Sequence, residues 1–564
     1  MPPVPRSPKT DEKRVGLRPK SHYYIEDTLM TPESKNQIFF FLTLFAGIFI
    51  LYPFLDYQSV MATGDHGRDL YAAQASLDGQ VPYKNYFWIY GPLMPYYYAF
   101  WFKLLGAHIQ AVLAGQAFLS LIAGTLIYLV LTATTVSCGL ALTGALWFWV
   151  FFPGFFHTYN HIGGLVLLLV LLYLLILYLN RQKTVYLFWS FVCVFFLSLV
   201  KINFGVTALC DLLIGVAGID FVHKKLTAKE KKIFYILIPA LLLPGIVLSY
   251  LGMLQGLPGG AMHQALHYLR QDQSSPTPIF FPLFMLLNLT LHNMTVNWPS
   301  LFLAMLIIFS TVQVVRLLTC ATTNTGPRAH LLVIIGILIL FYISGLHEFL
   351  VSGIFYRLAW VKPFGYLLIF IVLNTGTKDF PRWTRLLLYA TLFSIIILEI
   401  SNTRFYLNSA KKPSQYLALE KGKVFLGNDP AWLDTTTRAV SYLKEHLRAD
   451  ELFFALPYEP LYYFLTDKRS PTRQMIFFDY LRITTEQEKE VLDDLERKNI
   501  RWVLLSNRQV STEAGLGTLG KTYCPLIGEY IGNNFETVAE FGDWTSEPGW
   551  AWNHGVKILK RRSP

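Results

Sequence analysis

Long apolar runs separated by short polar segments fill about the first 400 residues of the chain. Several runs reach the roughly 17–25 residues that an α-helix needs to cross the hydrocarbon core of a bilayer. The predicted fold class is therefore a polytopic α-helical membrane protein. The pattern predicts eleven crossings, over residues 37–55, 109–133, 136–155, 162–179, 185–200, 203–220, 232–253, 299–319, 331–346, 358–375 and 386–402.

The pattern changes after residue 402, where short apolar stretches alternate with amphipathic ones. Such alternation predicts a small α/β domain. We expect strands at 451–457, 501–506 and 556–559 and helices at 435–447 and 486–498. The chain is thus divided into a cytoplasmic tail (1–36), a transmembrane domain (37–402) and a C-terminal extracytoplasmic α/β domain (403–564).

The distribution of Lys and Arg gives the orientation. With the N-terminus inside, nineteen of these residues up to residue 402 fall in cytoplasmic segments and seven fall in outer loops. Cytoplasmic loops carry this excess in membrane proteins, so an odd number of crossings places the C-terminal domain outside. The same asymmetry accounts for the net charge of +11. We find no motif for binding nucleic acid.

Composition adds two exclusions. Hydrophobic residues make up 53% of the chain and charged residues only 15%, as expected for a chain that spans a membrane. The five cysteines show no pairing pattern and no CxxC, so neither a disulfide framework nor a zinc knuckle is predicted. A polar stretch of about 36 residues precedes the first apolar run, which argues against a cleavable signal peptide.

The first outer loop, residues 56–108, is unusually aromatic for a solvent-exposed loop. Within it, Gly67–Leu77 has apolar residues at helical spacing, which predicts a helix lying along the membrane interface. Its Tyr, Phe and Trp residues predict an aromatic belt at headgroup depth. We interpret 86–105 as a second interfacial or half-inserted segment. The alternative is a twelfth crossing, which would reverse the sidedness of everything that follows.

Two motifs in this loop carry a family resemblance. Residues 63–71 read Thr-Gly-Asp-His-Gly-Arg-Asp-Leu-Tyr, and residues 82–86 read Pro-Tyr-Lys-Asn-Tyr. They resemble the first outer loop of GT-C fold glycosyltransferases of the protein O-mannosyltransferase and aminoarabinose-transferase kind. Asp65 takes the position of that family's catalytic acidic residue, His66 replaces the usual Glu, and Gly67 keeps the Gly. The resemblance implies a GT-C fold and transfer of a sugar on the outer face of the membrane.

The chemistry of such a transfer sets requirements of its own. Nucleotide sugars are made in the cytoplasm, so an outer-face transferase needs a donor anchored in the bilayer, such as a polyprenyl-phosphate sugar. A lipid, glycan or protein acceptor must lose a proton as it attacks, and a carboxylate can accept that proton. The lipid-phosphate leaving group needs cations. Asp65 is the candidate base. Asp69 and Asp56 are the other candidate bases. The alternative without a catalytic role is that Asp65 caps the helix that follows it.

The candidate cations lie at the outer boundary of predicted spans or in outer loops. For the donor phosphate we predict Lys201, Arg357 and Lys84, although Lys201 could equally be a lysine that snorkels at a helix end. The predicted substrate cavity is lined by His66, Arg68, Asp69, Tyr83, Tyr90, His347 and Glu348.

No cofactor is predicted, and the alternative is a divalent metal ion. Asp65, His66, His347 and Glu348 could together hold a divalent metal ion, because His and carboxylate groups suit such ions. His157 and His161 in the next outer loop have helical ligand spacing, but more often such residues are interfacial polar caps. The loop histidines His263 and His267 carry the same weak signal.

Two rival functions remain. A transporter or a flippase of lipid-linked glycans would also be polytopic, but its polar cavity would run toward the bilayer midplane. An oligosaccharide ligase or polymerase would be chemically close to the transferase. In the transferase, Asp65 should face Lys201 or Arg357 across one outer-face cavity.

Overall fold

The computed structural model describes most of the chain. The described residues are 32–58, 61, 63–151, 159–223, 327–347, 360–378, 380–410, 416–426, 430–510, 517–546, 548 and 553–563. Predictions on other residues lie outside this part of the chain. They concern the tail up to residue 31, the spans 232–253 and 299–319, and the residues His157, His263, His267, Glu348 and Arg357.

Helices form the described N-terminal part. They are α1 (Pro32–Leu51), α2 (Asp65–Leu77), α3 (Leu93–Leu105), α4 (Ile109–Ala133), α5 (Cys138–Phe151), α6 (His161–Arg181), α7 (Val185–Val200), α8 (Ile202–His223), α9 (Pro327–Gly345), α10 (Lys362–Gly376) and α11 (Arg382–Ala410). Each predicted crossing within the described residues coincides with one of these helices, and the ends agree to within five residues except that α11 continues to Ala410 rather than ending at residue 402. The bounds of α4 and α7 agree with the prediction at every end.

The bundle has the surface of a membrane protein. Four described helices are long and apolar enough to cross a membrane, and four shorter helices of 10–17 residues are also apolar. Large apolar side chains point outward, for example Phe41 and Phe45 of α1, which are 66% and 71% exposed. An exposed apolar surface of this kind fits contact with lipid. Helix α4 packs against α1, α5 and α6, and α8 packs against α7 and α9.

The C-terminal region (416–563) contains both helices and strands. Its helices are α12 (Pro430–His446), α13 (Pro460–Thr466), α14 (Thr485–Arg497) and α15 (Pro525–Asn534). Its strands are β2 (Tyr416–Leu419), β3 (Gly422–Leu426), β4 (Phe453–Leu456), β5 (Trp502–Ser506), β6 (Phe535–Gly542) and β7 (Gly555–Arg561). One sheet has the order β4-β5-β7-β6, with β4 and β5 parallel and the other pairs antiparallel.

A second sheet joins this region to the first outer loop. Strand β1 (Tyr57–Gln58) pairs in parallel with β3, which pairs in turn with β2. The hydroxyl of Tyr416 also donates to the carboxylate of Asp56 at 3.4 Å. Asp56, the third candidate base, therefore lies at this junction between sheets and loop.

The first outer loop differs from the prediction. An interfacial helix would leave a polar face in water, yet ten of the thirteen residues of α2 are buried, including His66, Arg68 and Asp69. The cause is α13, which packs on α2 from the C-terminal region, while α3 packs on another side. The predicted helix is confirmed, but the polar face that the interpretation left in water is covered by the C-terminal region.

The aromatic side chains of the loop also point inward more than a belt would. Tyr86 and Tyr98 are each 1% exposed and Trp88 is 3% exposed, whereas Tyr96 is 45% exposed. Their polar atoms find partners inside the protein. The Tyr86 hydroxyl lies 2.9 Å from Ser76 Oγ, and Trp88 Nε1 donates to the Gly91 carbonyl at 2.9 Å. These rings are packing elements of the loop.

Candidate functional site

Asp65 is the first residue of α2, and Gly64 is the N-cap. Neither hydrogen bond described for the Asp65 carboxylate goes to a backbone N–H at the start of the helix. The carboxylate interacts instead with Arg68 and with Tyr458 of the C-terminal region. The alternative that Asp65 serves as the N-cap is therefore wrong, because both described hydrogen bonds of its side chain are to other side chains.

Arg68 is the centre of the site. Its Nη1 donates to Asp65 Oδ1 and to the Tyr458 hydroxyl, each at 3.2 Å, and its Nε donates to Asp69 Oδ1 at 3.0 Å. The guanidinium also lies 4.9 Å from the ring centroid of Tyr90. Only 4% of the Arg68 side chain is exposed. A buried guanidinium with several partners is held in one orientation.

The two carboxylates of α2 are in different environments. The Asp69 side chain is 4% exposed, and burial raises its pKa to about 6 against the opposing effect of Arg68. The Asp65 side chain is 36% exposed. Burial works against its ionisation, but Arg68, Tyr458, His66 and Arg508 together hold the pKa of Asp65 below its ordinary value. Asp65 is therefore the more accessible carboxylate of the pair and the one that ionises at the lower pH.

Lys201 approaches the ring of Tyr90, which Arg68 also contacts. It follows the last residue of α7, and its Nζ lies 5.7 Å from the ring centroid of Tyr90 and 5.4 Å from that of Phe204. The Gly91 amide donates to the Val200 carbonyl at 2.9 Å, which ties the first outer loop to the end of α7. Arg68 and Lys201 therefore both lie near the ring of Tyr90. Cations at such distances are attracted to the face of an aromatic ring.

Tyr83 and Lys84 lie beside the site rather than in it. They form a turn in which Tyr83 has a φ of +67° and its hydroxyl donates to the Tyr90 carbonyl. Arg473 Nη1 donates to the Tyr83 carbonyl at 3.3 Å. Lys84 is exposed, and within the described residues no hydrogen bond or ion pair joins it to Asp65.

The histidines do not gather around Asp65. The ring of His66 is buried against that of Tyr159, with 4.9 Å between centroids. His347 Nδ1 donates to the Ser344 carbonyl at 2.6 Å, so its Nε2 accepts from Asn203 at 3.0 Å. Among the residues that the structure describes, no three His, Cys, Asp or Glu side chains form a group that could hold a metal ion.

A narrow cleft opens next to Lys201. Phe204 forms one wall, and His161 forms another by stacking on Trp360 with 4.9 Å between centroids. Deeper in the bundle, Asp211 of α8 lines the cleft and accepts a hydrogen bond from Ser344 at 2.7 Å. His347, predicted for the substrate cavity, lines this cleft as well.

Three residues of this site were not predicted from the sequence. Asp211 lies inside an apolar run, where a single acid gives a weak signal. Tyr458 and Arg508 are separated from Asp65 by several hundred residues, and no spacing rule relates them. The glycines at 64 and 67 were the available hint, because each marks a close approach of another segment. A Cβ at Gly64 would lie 2.4 Å from the Tyr458 ring.

Comparisons with known proteins bear on the fold. The chain is similar to the crystal structure of ArnT from Cupriavidus metallidurans bound to undecaprenyl phosphate, with a TM-score of 0.50 and 10% identity, over 94% of this chain and 98% of that chain. It is also similar to the arabinofuranosyltransferase AftD from Mycobacteria, with a TM-score of 0.47 and 11% identity, over 95% of this chain and 40% of that one. No family model and no curated protein matches the sequence. The chain is a helical membrane protein with the GT-C fold, which confirms the fold that the motifs of the first outer loop implied.

Proposed function

We propose that the chain is a glycosyltransferase that moves a sugar from a polyprenyl-phosphate donor to an acceptor on the outer face of the membrane. The observation that carries the proposal is the contact series from Asp65 through Arg68 and Tyr90 to Lys201. It places an accessible carboxylate and two cations in one site. The similarity to ArnT, whose structure contains undecaprenyl phosphate, supports a polyprenyl-phosphate partner.

The proposed reaction is a single displacement. An acceptor hydroxyl or amine attacks the anomeric carbon, and the bond from that carbon to the lipid-phosphate oxygen breaks. The electron pair stays on the phosphate, where Lys201 and Arg68 offset the added charge. The acceptor proton passes to Asp65. Lys84 and Arg357 are retained as further candidates for the phosphate.

The same proposal includes the membrane topology. It places eleven crossings in the bilayer, the N-terminus in the cytoplasm and the α/β domain outside. Helix α3 has only 13 residues, and the proposal counts it as a segment that does not span the bilayer, which gives an odd number of crossings. In a variant whose native cysteines are replaced by Ser, Lys103→Cys should react with a membrane-impermeant thiol reagent in intact cells. Lys183→Cys should react only after lysis, and the reverse pattern would refute the orientation.

The function is tested with the full chain in lipid nanodiscs. The donors are undecaprenyl-phosphate sugars carrying a labelled hexose, pentose or aminopentose, the acceptor is supplied as a cell-envelope extract, and the signal is label released from the lipid. We expect Asp65→Asn to lower turnover by about 10²–10⁴-fold, the usual contribution of a general base. The matched control is Asp78→Asn at the other end of α2. Turnover that persists in the Asp65 variant would refute the assignment.

The alternative of a transporter or flippase has one observation in its favour. Asp211 is a buried acid within an apolar helix, and such residues often mark a path for substrates or ions. A flippase would move a fluorescent polyprenyl phosphate between the leaflets of proteoliposomes without releasing a sugar. The transferase should release sugar and leave the leaflet distribution unchanged, so the two functions separate in one preparation.

A further inference from the structure

The C-terminal region inserts one segment against the start of α2. The Leu461 amide donates to the Thr63 carbonyl at 3.3 Å. A Cβ at Gly67 would lie 2.3 Å from the Leu461 backbone nitrogen, and one at Gly64 would overlap the Tyr458 ring. Both glycines are therefore required for the close approach. The approach places Tyr458, only 7% exposed, directly beside Asp65.

The direction of the hydrogen bonds at Tyr458 follows from the groups involved. Arg68 can only donate, so the Tyr458 oxygen accepts from its Nη1. The single hydroxyl proton is then left for Asp65 Oδ1, to which Tyr458 donates. Arg68 Nη1 donates to the same oxygen. Within the described part of the chain, both hydrogen bonds of Asp65 fall on Oδ1, which leaves Oδ2 for an incoming group.

We propose that Tyr458 is a positioning residue for the transfer, holding Asp65 by Oδ1 so that Oδ2 faces the acceptor. This inference rests on the proposed function and extends it to the C-terminal region, which then supplies part of the active site. A carboxylate fixed by one oxygen keeps its other oxygen in a single direction. Such orientation matters because proton transfer requires the base within hydrogen-bonding reach of the attacking group.

Other charges also face Asp65 and must be separated from Tyr458 in any test. They are His66, Arg68 and Asp69 from α2 and Arg508 from the turn after β5. All of them remain when only the hydroxyl of Tyr458 is removed. Burial raises the pKa of Tyr458 well above its ordinary value, so the hydroxyl keeps its proton in the range where Asp65 titrates.

The test measures the pKa of Asp65 in Tyr458→Phe. Difference infrared spectroscopy of the full chain in nanodiscs reports the ionisation of this carboxyl group. The carboxylic acid band of Asp65 is assigned by its loss in Asp65→Asn. Because the hydroxyl donates to the carboxylate, its removal should raise the pKa of Asp65 by about one unit. Gly64→Ala, which displaces the Tyr458 ring, should give a shift of the same sign. The control is Tyr462→Phe, which removes a buried hydroxyl of the same segment that bonds His554 at 2.9 Å.

Turnover gives the second readout. In Tyr458→Phe we expect kcat to fall about tenfold while KM for the donor changes less than twofold, because Lys201 and Arg68 are both still present to bind the donor phosphate. An unchanged pKa of Asp65 in that variant, or an equal shift in Tyr462→Phe, overturns the inference and leaves the proposed function standing. Full turnover in Asp65→Asn overturns both.

Discussion

The substitution Asp69→Asn distinguishes the roles of the two carboxylates of α2, Asp65 and Asp69. Burial raises the pKa of Asp69 from 3.8 to about 6. That difference of about two units corresponds to about 3 kcal/mol. Between roughly pH 4 and pH 6 the folded protein holds a proton that the unfolded chain has lost, so the free energy of unfolding falls as pH rises through this window. Above pH 6 the loss is complete.

Asp69→Asn removes this titration and keeps an oxygen that accepts from Arg68 Nε. The apparent unfolding midpoint of the wild-type chain in detergent should fall between pH 4.5 and pH 7.5. The fall should be smaller in Asp69→Asn, by an amount on the order of a few degrees. Glu459, whose pKa burial raises to about 7, adds a fall of the same sign and is present in both proteins. The difference between the two proteins therefore isolates Asp69.

The same variant decides which carboxylate accepts the acceptor proton. Asp69 is 4% exposed and bound to Arg68, so its amide variant should keep measurable turnover at pH 7.5. A loss as large as that of Asp65→Asn would identify Asp69 as the base. An unchanged pH dependence of the unfolding midpoint would refute the account of its buried proton. Asp78→Asn serves as the control in both assays.

Three further outcomes follow from the site. Lys201→Ala should weaken binding of undecaprenyl phosphate about tenfold, as measured by ligand titration in nanodiscs. The control Lys103→Ala, at the exposed end of α3, should leave the affinity unchanged. Equal affinities in the two variants would show that Lys201 does not bind the phosphate. Tyr90→Leu should weaken the same binding because both cations lose the ring face, and Tyr90→Phe should restore it. Gly67→Ala should lower the free energy of unfolding by about 1–3 kcal/mol, since its Cβ overlaps the backbone of Leu461; an unchanged thermal midpoint would contradict the close approach.

The membrane helices could be predicted because the signal is local. A run of apolar residues long enough to cross a bilayer forms a helix whatever its neighbours are, since its backbone groups must pair within the segment. Helix α4 and helix α7 were predicted at every residue for this reason. Strand β6 was missed because Thr537 and the exposed Val538 interrupt its alternation of charged and apolar residues, at a point where the pairing register shifts. The short strand β1 was missed because its partner β3 lies more than 360 residues away.

In the candidate site, too, the local grouping of residues could be predicted and the contacts between distant segments could not. Asp65, Arg68 and Asp69 lie within one helical turn, so their grouping follows from the motif alone. Lys201 could be predicted at a helix end from hydropathy, but its contact with Tyr90 depends on how α7 packs against the loop. Helix α2 was predicted to lie at the membrane interface with its polar face in water, because nothing in its own sequence indicates that α13 covers that face. A partner that covers an element from a distant part of the chain changes its burial without changing its pattern.

The physical account of the site therefore depends on the C-terminal region as much as on the membrane bundle. Arg68 alone would bind two carboxylates and leave the direction of Asp65 free to vary between its oxygens. Tyr458 adds a donor that selects one oxygen, and its hydroxyl also occupies an Arg68 proton that would otherwise be buried without a partner. The glycines at 64 and 67 make room for that donor. The motif of the first outer loop is thus shaped both for the reacting groups and for the segment that holds them in place.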